Sequence, residues 1–222
     1  EAFYIRGNNQ AALGDREAAI EDYTEAIRLK GAGADAFYNR GLCQAALGNR
    51  EAAIEDYTEA IRLKPDYANA FLARGISHGR LGYHIKAIDD FTEAIRLNPQ
   101  DADAYYNRGL AHHNLGQYQL AIHDYDEAIR LDPLNSSAFT NRSAAYTDLA
   151  KYDVYTDLAE YERVAQNDDA GPLFAPDSVG SINNSVVRIV TTNCCFSNSG
   201  TGIIYSESGL VLTAYHVVGG SN

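Results

Sequence analysis

Several residue types are absent from this sequence or rare in it. It has no methionine and no tryptophan, only three cysteines and five prolines, and 18 basic side chains against 30 acidic ones. The net charge of −12 argues against nucleic-acid binding, because neutralising phosphates requires clustered lysine and arginine. Basic ligands or other proteins are the partners that this charge favours.

The sequence also lacks a run of about 20 apolar residues that could cross a bilayer, and no basic-then-apolar leader opens it. Because it starts at Glu1 inside a repeat, we expect the true N-terminus to lie upstream. The compartment therefore stays open between cytoplasmic and exported bacterial. Three cysteines do not make a disulfide framework: Cys43 is predicted to be a buried thiol, and the neighbours Cys194 and Cys195 would pair only in a strained ring.

What the sequence does contain is a repeat of 34 residues. The segments 11–30 and 45–64 differ only at Asp15, where the second has Asn49. The same offset aligns an aromatic, a glycine, an alanine, a second aromatic and a proline. The aligned sets are Phe3, Phe37, Phe71, Tyr105 and Phe139; Gly7, Gly41, Gly75, Gly109 and Ser143; Ala19, Ala53, Ala87 and Ala121; Tyr23, Tyr57, Phe91 and Tyr125; and Pro65, Pro99 and Pro133.

This pattern resembles the tetratricopeptide repeat (TPR), which implies two antiparallel helices per repeat. In the second helix, apolar residues recur at intervals of three and four residues, which gives the helix one apolar face. Gly48 supplies a left-handed cap at the end of the first helix. Where the family has leucine before the glycine, this chain has Arg6, Arg40, Arg74, Arg108 and Arg142. We expect each arginine to lie beside a carboxylate of the second helix. The prediction is an all-α solenoid of four full repeats and a degenerate fifth, capped by an irregular helix over 148–166.

By this resemblance, the first helices line a groove that binds extended peptides or partner segments. The implied groove residues are Tyr4, Tyr38, Asn39, Leu72, Tyr106, Asn107, Thr140 and Asn141. Asparagine amides can hold a peptide backbone, and tyrosine offers rigid contact area. The alternative is that some of these side chains only pack between neighbouring helices. The lysine and arginine with which chaperone-tail-binding members clamp a carboxylate are missing from these positions.

Histidines recur as well. His78 and His112 occupy equivalent positions in adjacent repeats, and His113 and His123 follow. No cysteine or carboxylate completes a metal-ligand spacing, so packing or surface roles are favoured, and neither a metal nor a cofactor is predicted.

The character of the sequence changes after Gln166. Residues 167–180 contain glycine and two prolines and are predicted to be a linker, and from Ser178 onward only Arg188 and Glu207 are charged. Strands are predicted over 185–192, 202–205 and 210–213, the last two around a turn. This indicates a new domain over 181–222.

Residues 200–218 run Gly-Thr-Gly-Ile-Ile-Tyr, a short turn, then Leu-Val-Leu-Thr-Ala-Tyr-His-Val-Val. This order resembles the N-terminal strands of the trypsin-like serine protease barrel, particularly its HtrA-type bacterial members. The resemblance implies that His216 is the general base; otherwise it is an incidental histidine after a strand. Tyr215 stands where the family generally has alanine, a departure that bears on activity.

No triad Asp or nucleophilic Ser follows His216, so the chain itself is predicted to be inactive. The main hypothesis is a TPR interaction scaffold, 1–166, coupled in the parent protein to a trypsin-like serine endopeptidase. The alternative is a pure TPR interaction protein with a degenerate, non-catalytic protease-like domain. The sequence leaves the ligand, the cleavage specificity and the oligomeric state open.

Overall fold

The computed structural model describes residues 1–29, 33–165, 202–205 and 211–214, with side chains up to residue 152. The elements in chain order are α1 (Ala2–Leu13), α2 (Arg16–Arg28), α3 (Ala34–Ala46), α4 (Arg50–Leu63), α5 (Ala68–Arg80), α6 (His84–Leu97), α7 (Ala102–Asn114), α8 (Tyr118–Leu131), α9 (Ser136–Ala165), β1 (Gly202–Tyr205) and β2 (Val211–Ala214).

Helices α1 to α8 form four successive helical hairpins, in which each helix packs on the next along the chain. The core lies between the two helices of a hairpin and between neighbouring hairpins. On α4, for example, Ala53, Tyr57 and Ala60 are buried, as the spacing of three and four residues predicts. The predicted all-α TPR solenoid is thereby confirmed for this part of the chain.

A glycine on each first helix lets the two helices of a hairpin approach closely. A Cβ atom on Gly41 would lie 2.7 Å from the ring of Tyr57, and one on Gly75 would lie 2.6 Å from the ring of Phe91. These distances are too short for any side chain. The large aromatic of the second helix therefore occupies the space that the glycine leaves.

A second set of glycines ends the first helices. Gly14, Gly48, Gly82 and Gly116 have φ values of 87°, 89°, 82° and 73°, in the left-handed region that glycine adopts without steric cost. The equivalent residue in the fifth repeat is Ala150. No turn forms there, and α9 runs on as one helix of 30 residues. The segment predicted as an irregular capping helix over 148–166 is thus helical, but as a continuation of the first helix of the fifth repeat that ends at Ala165.

The arginine before each close-approach glycine binds a buried aspartate, as the sequence predicts. Arg40 pairs with Asp56 of its own repeat at 2.6 Å, stacks on Phe37 with its guanidinium carbon 5.7 Å from the ring centre, and donates to Thr24 of the preceding repeat at 3.0 Å. We call this set of contacts the arginine latch. It links two consecutive repeats through one side chain.

The latch recurs along the array. Arg74 binds Asp90 and Thr58, and Arg108 binds Asp124 and Thr92. Arg6, in the first repeat, binds Asp22 at 2.5 Å. For Arg142 of the fifth repeat, Asp126 of the fourth repeat stands at the threonine position and binds the guanidinium group directly. Each of the five arginines therefore lies beside a carboxylate of a second helix, as predicted: the carboxylate belongs to the same repeat for four of them and to the preceding repeat for Arg142.

The chain divides into two units, Glu1–Ala145 and Tyr146–Asn222. In the second unit, β1 and β2 form an antiparallel pair in which Gly202 is opposite Ala214 and Tyr205 is opposite Val211. The second strand begins one residue later than predicted. The predicted strand over 185–192, the predicted linker and His216 lie outside the described residues.

Candidate functional site

The first helices present a continuous surface because α1, α3, α5 and α7 contact one another in sequence. Residues spaced by three and then four positions lie on one side of a helix. We define the first-helix face as the residues with this spacing on successive first helices: Tyr4 and Asn8; Asp35, Tyr38 and Leu42; Leu72 and Ile76; and Asp103, Tyr106 and Leu110. It contains Tyr4, Tyr38, Leu72 and Tyr106 of the predicted groove residues.

Two of the predicted asparagines join neighbouring first helices. The Asn39 amide donates to the Tyr4 hydroxyl at 3.2 Å and to Asn8 Oδ1 at 3.1 Å. The Asn141 amide donates to the Tyr106 hydroxyl at 3.0 Å. Both amides therefore have a structural role between repeats, the alternative that the sequence left open.

The other two predicted polar residues bond within their own helices. The Asn107 amide donates to the carbonyl of Asp103 at 2.8 Å, and the Thr140 hydroxyl donates to the carbonyl of Ser136 at 2.9 Å. Asn107 is equivalent to Asn39, but the preceding first helix has Leu72 at the position of Tyr4, and leucine has no hydroxyl to accept the amide. Its side-chain oxygen and second amide hydrogen are the polar groups that a peptide backbone can use.

Tyr38 lies in an aromatic cluster that the sequence did not reveal. Its ring centre is 4.9 Å from that of Tyr67 and 6.0 Å from that of Tyr57. Tyr67 precedes α5, where the other repeats have Gly33, Asp101 or Asn135, so periodicity gives no signal for it. Burial, and then a hydrogen bond to Asp35, raises the pKa of Tyr67. Its hydroxyl is a neutral donor at neutral pH.

Aliphatic residues complete the face: Leu72 occupies the tyrosine position in its repeat, and Leu42, Ile76 and Leu110 lie one helical turn after that position. Leu42 is 41% exposed, whereas Leu72, Ile76 and Leu110 are half-buried. Leu72 and Ile76 pack against Ala87, Phe91 and Ala111 below them. Leu42, Ile76 and Leu110 were not among the predicted groove residues, although each follows one of them by four positions. Together these side chains form a partly exposed apolar strip.

The recurring histidines take part in hydrogen bonds. His78 Nδ1 is 2.9 Å from the Asp90 carboxylate, and His112 Nδ1 is 2.6 Å from the Gln117 side-chain oxygen. Across the part of the chain that the structure describes, no three metal-ligating side chains converge. In that same part, no helix is both long enough and apolar enough to span a membrane.

Comparison with family models identifies the repeats. The model described as tetratricopeptide repeat matches residues 34–67 and 102–135, a related model of the same description matches 1–32, and a TPR repeat model matches 85–116. These matches together cover more than half of the chain. None of the curated proteins compared with the chain matches its sequence.

Solved structures give the same fold. The crystal structure of MamA protein is 24% identical, with a TM-score of 0.65 over 77% of this chain and 96% of its own. The crystal structure of YrrB, a TPR protein with an unusual peptide-binding site, is 23% identical, with a TM-score of 0.60 over 64% and 73%. The first TPR of Spaghetti (RPAP3), bound to the HSP90 peptide SRMEEVD, is 26% identical, with a TM-score of 0.53 over 53% and 94%. The chain belongs to the tetratricopeptide repeat family.

Proposed function

We propose that the chain is a protein-interaction scaffold whose first-helix face binds an extended peptide segment of a partner. The observation that carries this proposal is the apolar strip of Leu42, Leu72, Ile76 and Leu110, which stays partly exposed across successive repeats. Aromatic and aliphatic side chains held on rigid helices provide contact area at low entropic cost.

Two similar structures support a peptide ligand. YrrB has a peptide-binding site, and the first TPR of RPAP3 is bound to a peptide of HSP90. The HSP90 peptide is acidic towards its end. The first turns of α3 and α7 carry Asp35 and Asp103 where a clamp for an acidic tail would need lysine or arginine, so we do not extend the acidic ligand of RPAP3 to this chain.

The test is a selection of phage-displayed random peptides on the full chain, followed by binding of the selected peptides to variants. Leu42→Ser and Asn107→Ala should each weaken binding, because both side chains are on or beside the face and their loss disturbs little of the core. Leu13→Ser is the matched control: Leu13 is 86% exposed at the end of α1, away from the face. Circular dichroism should show the same helicity in all three variants.

Asn39→Ala should also weaken binding, but with a loss of stability, because Asn39 connects α3 to α1. If the selected peptides bound the Leu42→Ser and Asn107→Ala variants as tightly as the parent chain, the binding surface would be elsewhere.

We further propose the domain organisation 1–166 solenoid, 167–180 linker and 181–222 N-terminal part of a trypsin-like protease domain. The supporting observation is the antiparallel pairing of β1 with β2, since these two strands are the Gly-Ile-Ile-Tyr and Val-Leu-Thr-Ala segments that precede His216 in the resembling stretch. In this proposal His216 is the general base and the scaffold recruits a partner to a serine endopeptidase. A protease-like domain without catalysis is the competing proposal.

A peptide-hydrolysis assay on the product of the complete gene separates these two proposals. The endopeptidase should lose its activity on His216→Ala, because without the base the serine hydroxyl is a poor nucleophile at neutral pH. Tyr215→Ala should keep or raise the rate. Absence of hydrolysis in the parent protein would favour the non-catalytic domain, and undiminished hydrolysis by His216→Ala would exclude this histidine as the base.

A further inference from the structure

Four exposed carboxylates lie at one end of the first-helix face. Asp35 and Asp103 stand in the first turns of α3 and α7, three residues before Tyr38 and Tyr106. Asp66 and Asp132 lie in the connections that lead into α5 and α9. We call these four residues the acidic rim. The bases nearest to them in sequence are Lys64, whose ammonium group stacks over the Tyr67 ring at 4.5 Å, and Arg130, which pairs with Glu127 at 2.8 Å.

Basic side chains elsewhere in the first helices do not neutralise this rim. Arg40, Arg74 and Arg108 are held by buried aspartates in the arginine latches. Arg80 is exposed but lies at the C-terminal end of α5, away from the first turns. The rim therefore keeps its negative charge beside the apolar strip.

A buried polar group also lies beneath the strip. The Tyr125 hydroxyl is fully buried and has no hydrogen-bond partner within the described part of the chain. The equivalent Tyr23 hydroxyl donates to Asn8 on the first-helix face at 2.8 Å, but the residue equivalent to Asn8 in this repeat is Leu110. The buried hydroxyl without a partner thus belongs to the fourth repeat, where the Tyr125 ring centre lies 6.0 Å from that of Tyr106.

From this juxtaposition we infer that the peptide ligand is basic and aliphatic: its leucine-like side chains contact the apolar strip, and its arginine or lysine side chains pair with the acidic rim. This inference rests on the proposed function and specifies its partner. Charge complementarity is the argument for this occupant, because an acidic peptide would bring like charges next to Asp35 and Asp103.

The test uses three labelled synthetic peptides on the full chain, each with the same leucines and with arginine, glutamine or glutamate at the remaining positions. Fluorescence anisotropy should rank them arginine first and glutamate last, and added salt should weaken the arginine peptide most. The double variant Asp35→Asn with Asp103→Asn should weaken binding of the arginine peptide about fivefold. The double variant should bind the glutamine peptide as tightly as the parent chain does.

The matched control is Glu21→Gln with Glu55→Gln on α2 and α4, which changes the net charge by the same amount at exposed positions off the face. It should not alter binding. If both double variants weakened binding of the arginine peptide equally, the effect would come from the overall charge of the chain, and the inference would be overturned. If the glutamate peptide bound best and Leu42→Ser abolished that binding, peptide binding at the face would stand and the basic ligand would be wrong. If none of the three bound, the proposed function would fail as well.

Discussion

At the scale of single residues, the large aromatic on each second helix fills the same space in four repeats, but its hydroxyl does not have the same environment. Tyr23 donates to Asn8, Phe91 has no hydroxyl, and the Tyr125 hydroxyl is buried without a partner in the described part of the chain. A buried donor left without an acceptor costs about 1–3 kcal/mol. The same hydroxyl group is therefore hydrogen-bonded in the first repeat and left without a partner in the fourth.

We predict that Tyr125→Phe leaves the free energy of unfolding unchanged or raises it by about 1 kcal/mol, since it removes the stranded hydroxyl and keeps the ring. Tyr23→Phe should lower it by about 1 kcal/mol, because it deletes a hydrogen bond. Urea unfolding followed by circular dichroism measures both. A loss for Tyr125→Phe as large as that for Tyr23→Phe would mean that the Tyr125 hydroxyl has a partner, such as a water molecule.

The sequence predicts some of these residue-scale contacts and not others. The arginine pairs follow from the repeat itself, because each arginine lies at a fixed distance along the chain from the aspartate that it binds. The role of Asn39 does not follow, because its bond to Tyr4 depends on the separation of two first helices in different repeats. Tyr67 escaped prediction for a simpler reason: it occurs in one repeat only.

At the scale of elements, a single backbone position decides whether a repeat has one helix or two. Four first helices end at a glycine with positive φ, and the helix that has Ala150 at this position continues. A Cβ makes the left-handed conformation costly, and alanine is also the best helix former. The sequence predicted the left-handed glycine and a helix over 148–166, but not that this helix joins the first helix of the fifth repeat, because the repeat pattern is degenerate there.

We predict opposite effects for two glycine substitutions. Gly116→Ala should destabilise the chain by about 1 kcal/mol, because its φ of 73° suits glycine. Gly79→Ala should stabilise it by about 0.5–1 kcal/mol, because Gly79 lies inside α5 and a Cβ there would meet the Cβ of Ala87 at an ordinary 3.8 Å. Thermal unfolding measures both. The same sign for the two variants would contradict the conformational argument.

At the scale of the whole molecule, repeats interact only with their neighbours, so stability is a sum of terms within repeats and between them. The arginine latch contributes to both terms, since Arg74 binds Asp90 in its own repeat and Thr58 in the one before. Arg6 binds within its own repeat and is 62% exposed, whereas the side chain of Arg74 is 19% exposed. The latch arginine should therefore contribute more to the free energy of unfolding in the middle of the array than at its start.

Arg74→Ala is predicted to lower the free energy of unfolding by about 3 kcal/mol, because it leaves the buried Asp90 carboxylate without its guanidinium partner. It should also broaden the urea transition, as the repeats on either side lose a connection and begin to unfold separately. Arg6→Ala should have a smaller effect and keep one sharp transition. Arg62→Ala, which removes an exposed pair with Glu59, should change little. Equal losses for Arg74→Ala and Arg6→Ala, both with sharp transitions, would show that the latch does not couple neighbouring repeats.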